Sequence, residues 1–164
     1  ATRLERSVAF VNSSFSDLGR YISIFDRLMK MYYDRGLSEF EIGWGQQFYV
    51  EYLFDHPGAT SQEMAECIRV DKATLTKMIK KLTEVGYIQI SGDERDRRVK
   101  HLYLTEKAMP AAQKIKSIHA EFYSTLSAGV PTADLALTEQ TLQRMVENIN
   151  HKVWHRMEEP HGEC

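Results

Sequence analysis

Apolar residues in the middle of the chain follow two different rhythms. Between Asp71 and Val85 the positions Leu75, Met78, Ile79, Leu82 and Val85 return every three or four residues, the spacing of one helix face packed on a core. Asp71 supplies an N-cap and Gly86 a stop. The face opposite Leu75 and Ile79 carries Ala73, Thr76, Lys77, Lys80 and Glu84, so its solvent side is small, hydroxylated and mostly basic. The rhythm then changes. Tyr87 to Ser91 and Val99 to Leu104 are β-rich runs separated by a polar stretch that begins at Gly92, and they predict a hairpin. Its tip reads Asp93-Glu94-Arg95-Asp96-Arg97-Arg98.

The same reading orders the rest of the chain. Trp44 to Phe54 predicts a helix closed by Asp55-His56-Pro57-Gly58, and Thr60-x-x-Glu63 is a capping box that opens another, running to Cys67 or Ile68. Towards the N-terminus, Leu4, Val8, Val11, Phe15, Leu18, Ile22, Phe25, Met29 and Tyr32 alternate in steps of four and three. Ser14 with Asp17 predicts a fresh cap within that stretch. Beyond a break at Gly129-Val130-Pro131, Leu142, Met145, Val146, Ile149 and Val153 form a second stripe. Each stripe alone reads equally as intramolecular core or as an interface. Together they exceed what a small winged-helix core needs for cover, which favours a second copy of the chain. The predicted fold class is mainly α with a small β-hairpin, a winged helix-turn-helix with long terminal dimerisation helices. Its regions are 1–36 for dimerisation, 37–105 for DNA binding and 106–164 for further dimerisation helices, all within one compact unit.

A basic face on an isolated helix is ordinary. A basic helix followed at once by an arginine-tipped hairpin is the anatomy of a winged helix that grips duplex DNA. Ala73 and Thr76 are short enough to let the backbone approach base edges, and Lys77 and Lys80 reach phosphates or guanine. At the tip, Asp96 lies two residues from Arg98, close enough to orient its guanidinium for a narrow minor groove.

Here the chain resembles the MarR-type (multiple-antibiotic-resistance) regulators. The resemblance rests on Val70-Asp71-Lys72-Ala73-Thr74-Leu75-Thr76, then Leu82, Gly86, Asp93-x-x-Asp96-Arg97-Arg98 and Leu104-Thr105-Glu106-Lys107. Upstream it takes in Gln47-Phe48, Leu53, His56-Pro57-Gly58-Ala59-Thr60 and Glu63-Met64-Ala65, so that motifs cover roughly residues 37 to 107. It implies a dimeric winged-helix protein that binds a palindromic double-stranded operator, usually as a repressor, and is released by a small anionic aromatic ligand or an oxidant. By this resemblance Asp96 corresponds to the family's bracing aspartate and Arg98 to its minor-groove arginine. Lys72, Thr76, Lys77 and Lys80 fall on the recognition face, and Ala73, Thr74, Arg95 and Arg97 complete the expected DNA contacts. The segment Ser38 to Gly45 departs from the family pattern through its glycines and Trp44. The resemblance also places a ligand cleft where the first two helices meet the helix after the wing, which makes Arg20, Phe25, Tyr33, Trp44 and Phe48 the expected effector contacts, with Arg20 facing a ligand carboxylate.

Charge and chemistry refine the picture. A chain of 164 residues, 43% hydrophobic, buries a real core. Its net charge of −2 hides a split, since residues 71–100 carry net +3 and the remainder −5. Two cysteines, Cys67 and Cys164, and no apolar run of membrane-spanning length predict a cytoplasmic chain without a membrane partner. No phosphate-cradling glycine loop, Gly-x-Ser-x-Gly elbow or Cys-x-x-Cys pair occurs, so neither an enzyme nor a cofactor is expected. His151 and His155, four apart, read as a solvated helix face in preference to a metal pair, and Cys67 as a buried core thiol in preference to a redox sensor. The competing functional class is a winged-helix protein-interaction module that uses the same surface for an acidic partner.

Overall fold

The computed structural model describes residues 17–93, 96 and 98–153. The chain forms two compact units, Ala1–Trp44 and Gly45–Cys164. In the first, helix α1 runs Asp17–Leu37 and is followed by a 3-10 turn, Ser38–Phe40. Glu41 closes that turn in the left-handed region, φ 59°. The main-chain N–H of Trp44 then donates to Asp34 Oδ1 at 2.7 Å, which ties the end of the segment back to α1. The irregular geometry suggested by Ser38 to Gly45 is therefore a 3-10 turn and a left-handed residue. Residues 1–16, including the Ser14 cap and the first half of the N-terminal stripe, lie outside the described residues.

The second unit begins with α2, Gly45 onward of the helix Trp44–Asp55, and continues through β1 (Ala59–Thr60), α3 (Ser61–Ile68), α4 (Lys72–Val85), β2 (Ile88–Gly92) and β3 (Lys100–Leu104). A 3-10 turn, Glu106–Ala108, leads into α5 (Met109–Ser127), and α6 spans Thr132–Val153. The expected order of helices around a hairpin is thus present, with boundaries within a residue or two. Thr60 and Glu63 make the full capping box: Thr60 Oγ1 accepts from the Glu63 N–H at 3.3 Å and Glu63 Oε2 accepts from the Thr60 N–H at 2.7 Å. These bonds hold the Glu63 carboxyl below its usual range.

The sheet holds one strand that periodicity did not foresee. Ala59 and Thr60 pair antiparallel with Leu102 and His101, giving the order β1-β3-β2. Two residues are too few to show an alternation, and only the fold brings them beside β3. The β2–β3 ladder runs from Ile88↔Leu104 to Gly92↔Lys100. Ile88 is buried at the base of the ladder, and further along it Leu102 is buried while its partner Ile90 is exposed. Val50, Leu53, Met64, Leu75, Leu82, Leu102, Ile115 and Ile118 are each 2% exposed or less, and they join α2, α3, α4, β3 and α5 in one core.

Candidate nucleic-acid interface

Helices α3 and α4 make the helix-turn-helix. The turn between them is Arg69-Val70-Asp71, with Arg69 in the left-handed region (φ 56°) and the Val70 N–H donating to the Ala65 carbonyl at 3.1 Å. Asp71 then caps α4 twice: Oδ1 accepts from the Thr74 N–H at 2.9 Å and Oδ2 from the Thr74 hydroxyl at 2.6 Å. The Thr74 side chain and main-chain hydrogen bonds hold the Asp71 carboxyl below its usual range, so it stays ionised at the positive helix end. At the other end Gly86 adopts φ 85°, a conformation that suits glycine. Its carbonyl accepts from Thr105 Oγ1 at 2.6 Å, and Lys107 Nζ donates to the Val85 carbonyl at 2.5 Å. The Leu104-Thr105-Glu106-Lys107 motif thus clamps the C-terminus of α4. That role has no local signature, because clamp and helix end are about twenty residues apart.

With both ends tied and Leu75, Ile79 and Leu82 buried, α4 presents Lys72, Ala73, Thr74, Thr76, Lys77 and Lys80 exposed. The hydroxyl of Thr76 donates back to the Lys72 carbonyl at 2.7 Å, which leaves its methyl and oxygen lone pairs outward. The hydroxyl proton of Thr74 is committed to Asp71, so among these residues Thr74 serves first as part of the cap. Lys80 lies 3.9 Å from Glu84, an exposed and long pairing that leaves its ammonium available.

The wing is organised by carboxylates. Asp93 Oδ1 accepts from the Asp96 N–H at 3.0 Å, and Asp96 Oδ1 accepts from the Arg98 N–H at 2.9 Å. The turn closes with Val99 N–H to the Asp96 carbonyl at 2.9 Å and Asp93 N–H to the Val99 carbonyl at 3.0 Å. Asp96 therefore reaches the main chain of Arg98 rather than its guanidinium, and sets the residue's backbone while leaving the exposed side chain outward. Arg95 and Arg97 lie outside the described residues.

The expected effector contacts are scattered by comparison. Arg20 pairs with Asp17 at 2.8 Å on an exposed turn of α1, and Phe25 is exposed as well. Tyr33 is buried and meets Trp44 edge-on, ring centroids 5.0 Å apart. Thirteen residues of helix separate Arg20 from Tyr33, roughly 20 Å along the axis, so the two do not line one small site. Phe48 belongs to the second unit, where it lines an open cavity of about 400 Å³ with Glu51, Tyr52, Asp55, His56, Cys67 and Ile68. Cys67 is half-buried and disulfide-bonded, which corrects the expectation of a buried core thiol. The side chains of His151 and His155 lie outside the described residues, as does Cys164. Among the described residues no helix is long and apolar enough to cross a membrane, and no group of three or more His, Cys, Asp or Glu is placed to hold a metal ion.

A helix-turn-helix whose second helix is clamped at both ends and exposes a basic face, followed by a hairpin that carries an oriented arginine, defines a winged helix-turn-helix DNA-binding protein. Residues 43–100 match the MarR family model, and over that segment the chain is similar to those helix-turn-helix transcriptional regulators. Among its relatives is the HTH-type transcriptional regulator YybA of Bacillus subtilis, 25% identical over 134 residues, which is 82% of this chain and 89% of that one. A MarR protein from Peptoclostridium difficile has the same fold at 22% identity, TM-score 0.78, over 87% of this chain and 93% of its own. So does MepR of S. aureus, solved in complex with DNA, at 22% identity and TM-score 0.76 over 82% of this chain and 99% of its own.

Proposed function

We propose that the protein is a homodimeric repressor that occupies a palindromic operator, with α4 of each copy in the major groove and each wing in the adjoining minor groove. Lys77 and Lys80 take phosphates or guanine, Ala73 and Thr76 meet base edges, and Arg98 enters the minor groove. The observation that carries this reading is the pairing of an exposed basic α4 with an Arg98 whose backbone is held by Asp96. That MepR, a protein of the same fold, was solved in complex with DNA supports the reading. Dimerisation is supported by exposed apolar residues on α1 and α6: Leu18 and Ile22 on the first, Leu142, Val146, Ile149 and Val153 on the second. In this organisation residues 1–36 and 106–164 set the spacing of two reading regions, 37–105, at about 34–36 Å, one turn of the duplex.

The test is a titration of labelled operator and random duplex at several salt concentrations. A regulator retains operator selectively, with log K falling against log salt at roughly 0.9 per phosphate neutralised. Equal binding of both duplexes, or none, favours the protein-interaction module instead. Release of DNA by a small aromatic or anionic ligand belongs to the same proposal. The cavity beside Phe48 is open to such a ligand, and its carboxylates Glu51 and Asp55 are paired with His119 at 2.9 Å and Lys116 at 3.6 Å. The disulfide at Cys67 favours a second route, release governed by thiol oxidation. Operator affinity that changes on reduction in the native chain and stays constant in Cys67→Ser supports that route, and affinity indifferent to reduction removes it.

A further inference from the structure

His101 stands where the wing meets the rest of the fold. It lies on β3 with 27% of its side chain exposed, and each ring nitrogen faces an oxygen acceptor. Nδ1 is 2.7 Å from the Gly58 carbonyl, in the turn before β1, and Nε2 is 3.2 Å from Asp93 Oδ2, at the first residue of the wing turn. Two acceptors on opposite sides of one imidazole are satisfied together only by the doubly protonated ring, since the neutral ring has a single N–H. The Gly58 carbonyl already receives its position from the Gly58 N–H bond to Leu102 and offers the shorter contact. The neutral tautomer that keeps Nδ1–H on Gly58 turns the Nε2 lone pair towards the Asp93 carboxylate. Deprotonation therefore breaks the bridge on the wing side.

Asp93 is also the head of the hydrogen-bond relay that shapes the wing. Its other oxygen accepts from Asp96, and Asp96 accepts from Arg98. We propose that His101 is a positioning residue for the wing, an imidazolium bridge that anchors Asp93 to the Gly58 turn and so couples the placement of Arg98, and with it operator affinity, to pH. The Gly58 and Asp93 hydrogen bonds raise the His101 pKa above its usual value, with the Asp93 and Glu63 charges adding to the effect. Asp93 faces the ring from the wing and Glu63 from the start of α3, and His56, in the turn after α2, shares the Glu63 field. The sign follows: the bridge is complete below the ordinary histidine value and is lost as pH rises through the elevated one.

The affinity arm rests on the operator reading, so the experiment has a second arm without DNA. In the free full-length protein, NMR follows the His101 ring nitrogens and the Asp96 and Arg98 amides between pH 5.5 and 9. The amides are expected to shift with the His101 midpoint in the wild type and to lose that inflection in His101→Gln. Operator affinity is expected to fall on the order of tenfold across the same midpoint, the worth of about one charge-assisted hydrogen bond, and His101→Gln to flatten the profile. Asp93→Asn is the compensating variant, because its carboxamide NH₂ donates to Nε2 of the neutral ring, so the amide inflection disappears and the wing stays ordered at high pH. Amides that ignore the His101 titration, or a pH profile unchanged in His101→Gln, overturn the proposal. Coupled amides in a protein that binds no duplex uphold the bridge and overturn the operator reading instead.

Discussion

Helices α4 and α6 are written in the same amphipathic language and meet opposite fates. In α4 the apolar positions Leu75, Ile79 and Leu82 are buried within the chain, and the polar face is left exposed. In α6 the polar face is exposed too, yet Val146 is 55% exposed, Ile149 62% and Val153 65%. An apolar stripe states that a face needs cover and does not say which molecule provides it. The contrast separates the two helices: the apolar face of α4 is packed within its own chain, and that of α6 is exposed.

The largest expected effect comes from attacking the uncovered face. Ile149→Glu places a charge where a second chain is proposed to pack, so light scattering should report monomers, and operator binding at micromolar protein should be lost. Far-UV circular dichroism should remain that of the folded chain, because no internal packing is removed. A wild type already monomeric at micromolar concentration removes the premise. The covered face makes the opposite case. Leu82→Ala should lower unfolding stability by about 2–5 kcal/mol in denaturant titrations, as expected of a fully buried leucine, whereas Ile149→Ala in a monomeric background should change it by about 0.5 kcal/mol or less. Comparable losses from both would erase the distinction between the helices.

Smaller effects sharpen what the exposed face of α4 and its wing do. Arg98→Ala should weaken operator binding and make the salt dependence shallower by about one unit for each arginine withdrawn from the DNA. Asp96→Ala should weaken binding as well, although it deletes a negative charge beside DNA, because Asp96 Oδ1 fixes the Arg98 main chain. Tighter operator binding by Asp96→Ala in the same titration would show that its charge outweighs its hydrogen bond.

The smallest effect belongs to the caps that hold the reading helices in place. Thr60→Ala should cost about 1 kcal/mol of unfolding stability at neutral pH, read from denaturant titrations. Its partner Glu63 has a carboxyl held below the usual 4.5 by hydrogen bonds from Thr60. That contribution is complete above the unfolded value and is lost as pH falls through the folded one. The Thr60→Ala deficit should therefore shrink from pH 7 towards pH 3, and a deficit independent of pH would assign the cost to packing.

Much of the reading unit was legible because its signals are local. Asp71, Thr60-x-x-Glu63 and Gly86 each act within one helical turn, and each stands where the structure uses it. The irregular segment before α2 was visible as a departure but not as a shape, since a 3-10 turn with a left-handed glutamate carries no periodicity. Asp96 was paired with the right residue and the wrong group: a sequence supplies two opposite charges two positions apart, and the turn geometry sends the carboxylate to an N–H. Aromatic residues that cluster along the chain need not share a cavity, so spacing does not group the expected effector contacts. Arg20 and Tyr33 sit several turns apart on one helix, and Phe48 opens onto carboxylates.

Local spacing was enough to establish a basic helix, a hairpin with an acidic and arginine-rich tip, and two apolar stripes in search of cover, because helix and strand periods, caps and turns act over a few residues. Only tertiary structure added β1 beside β3, the Thr105 and Lys107 clamp on the end of α4, and His101 between Gly58 and Asp93. Each of those contacts joins residues that lie from eight to forty-three positions apart, or whose pairing is too short to leave a rhythm. Such contacts exist only once the sheet has brought the strands together, and no spacing along the chain announces them.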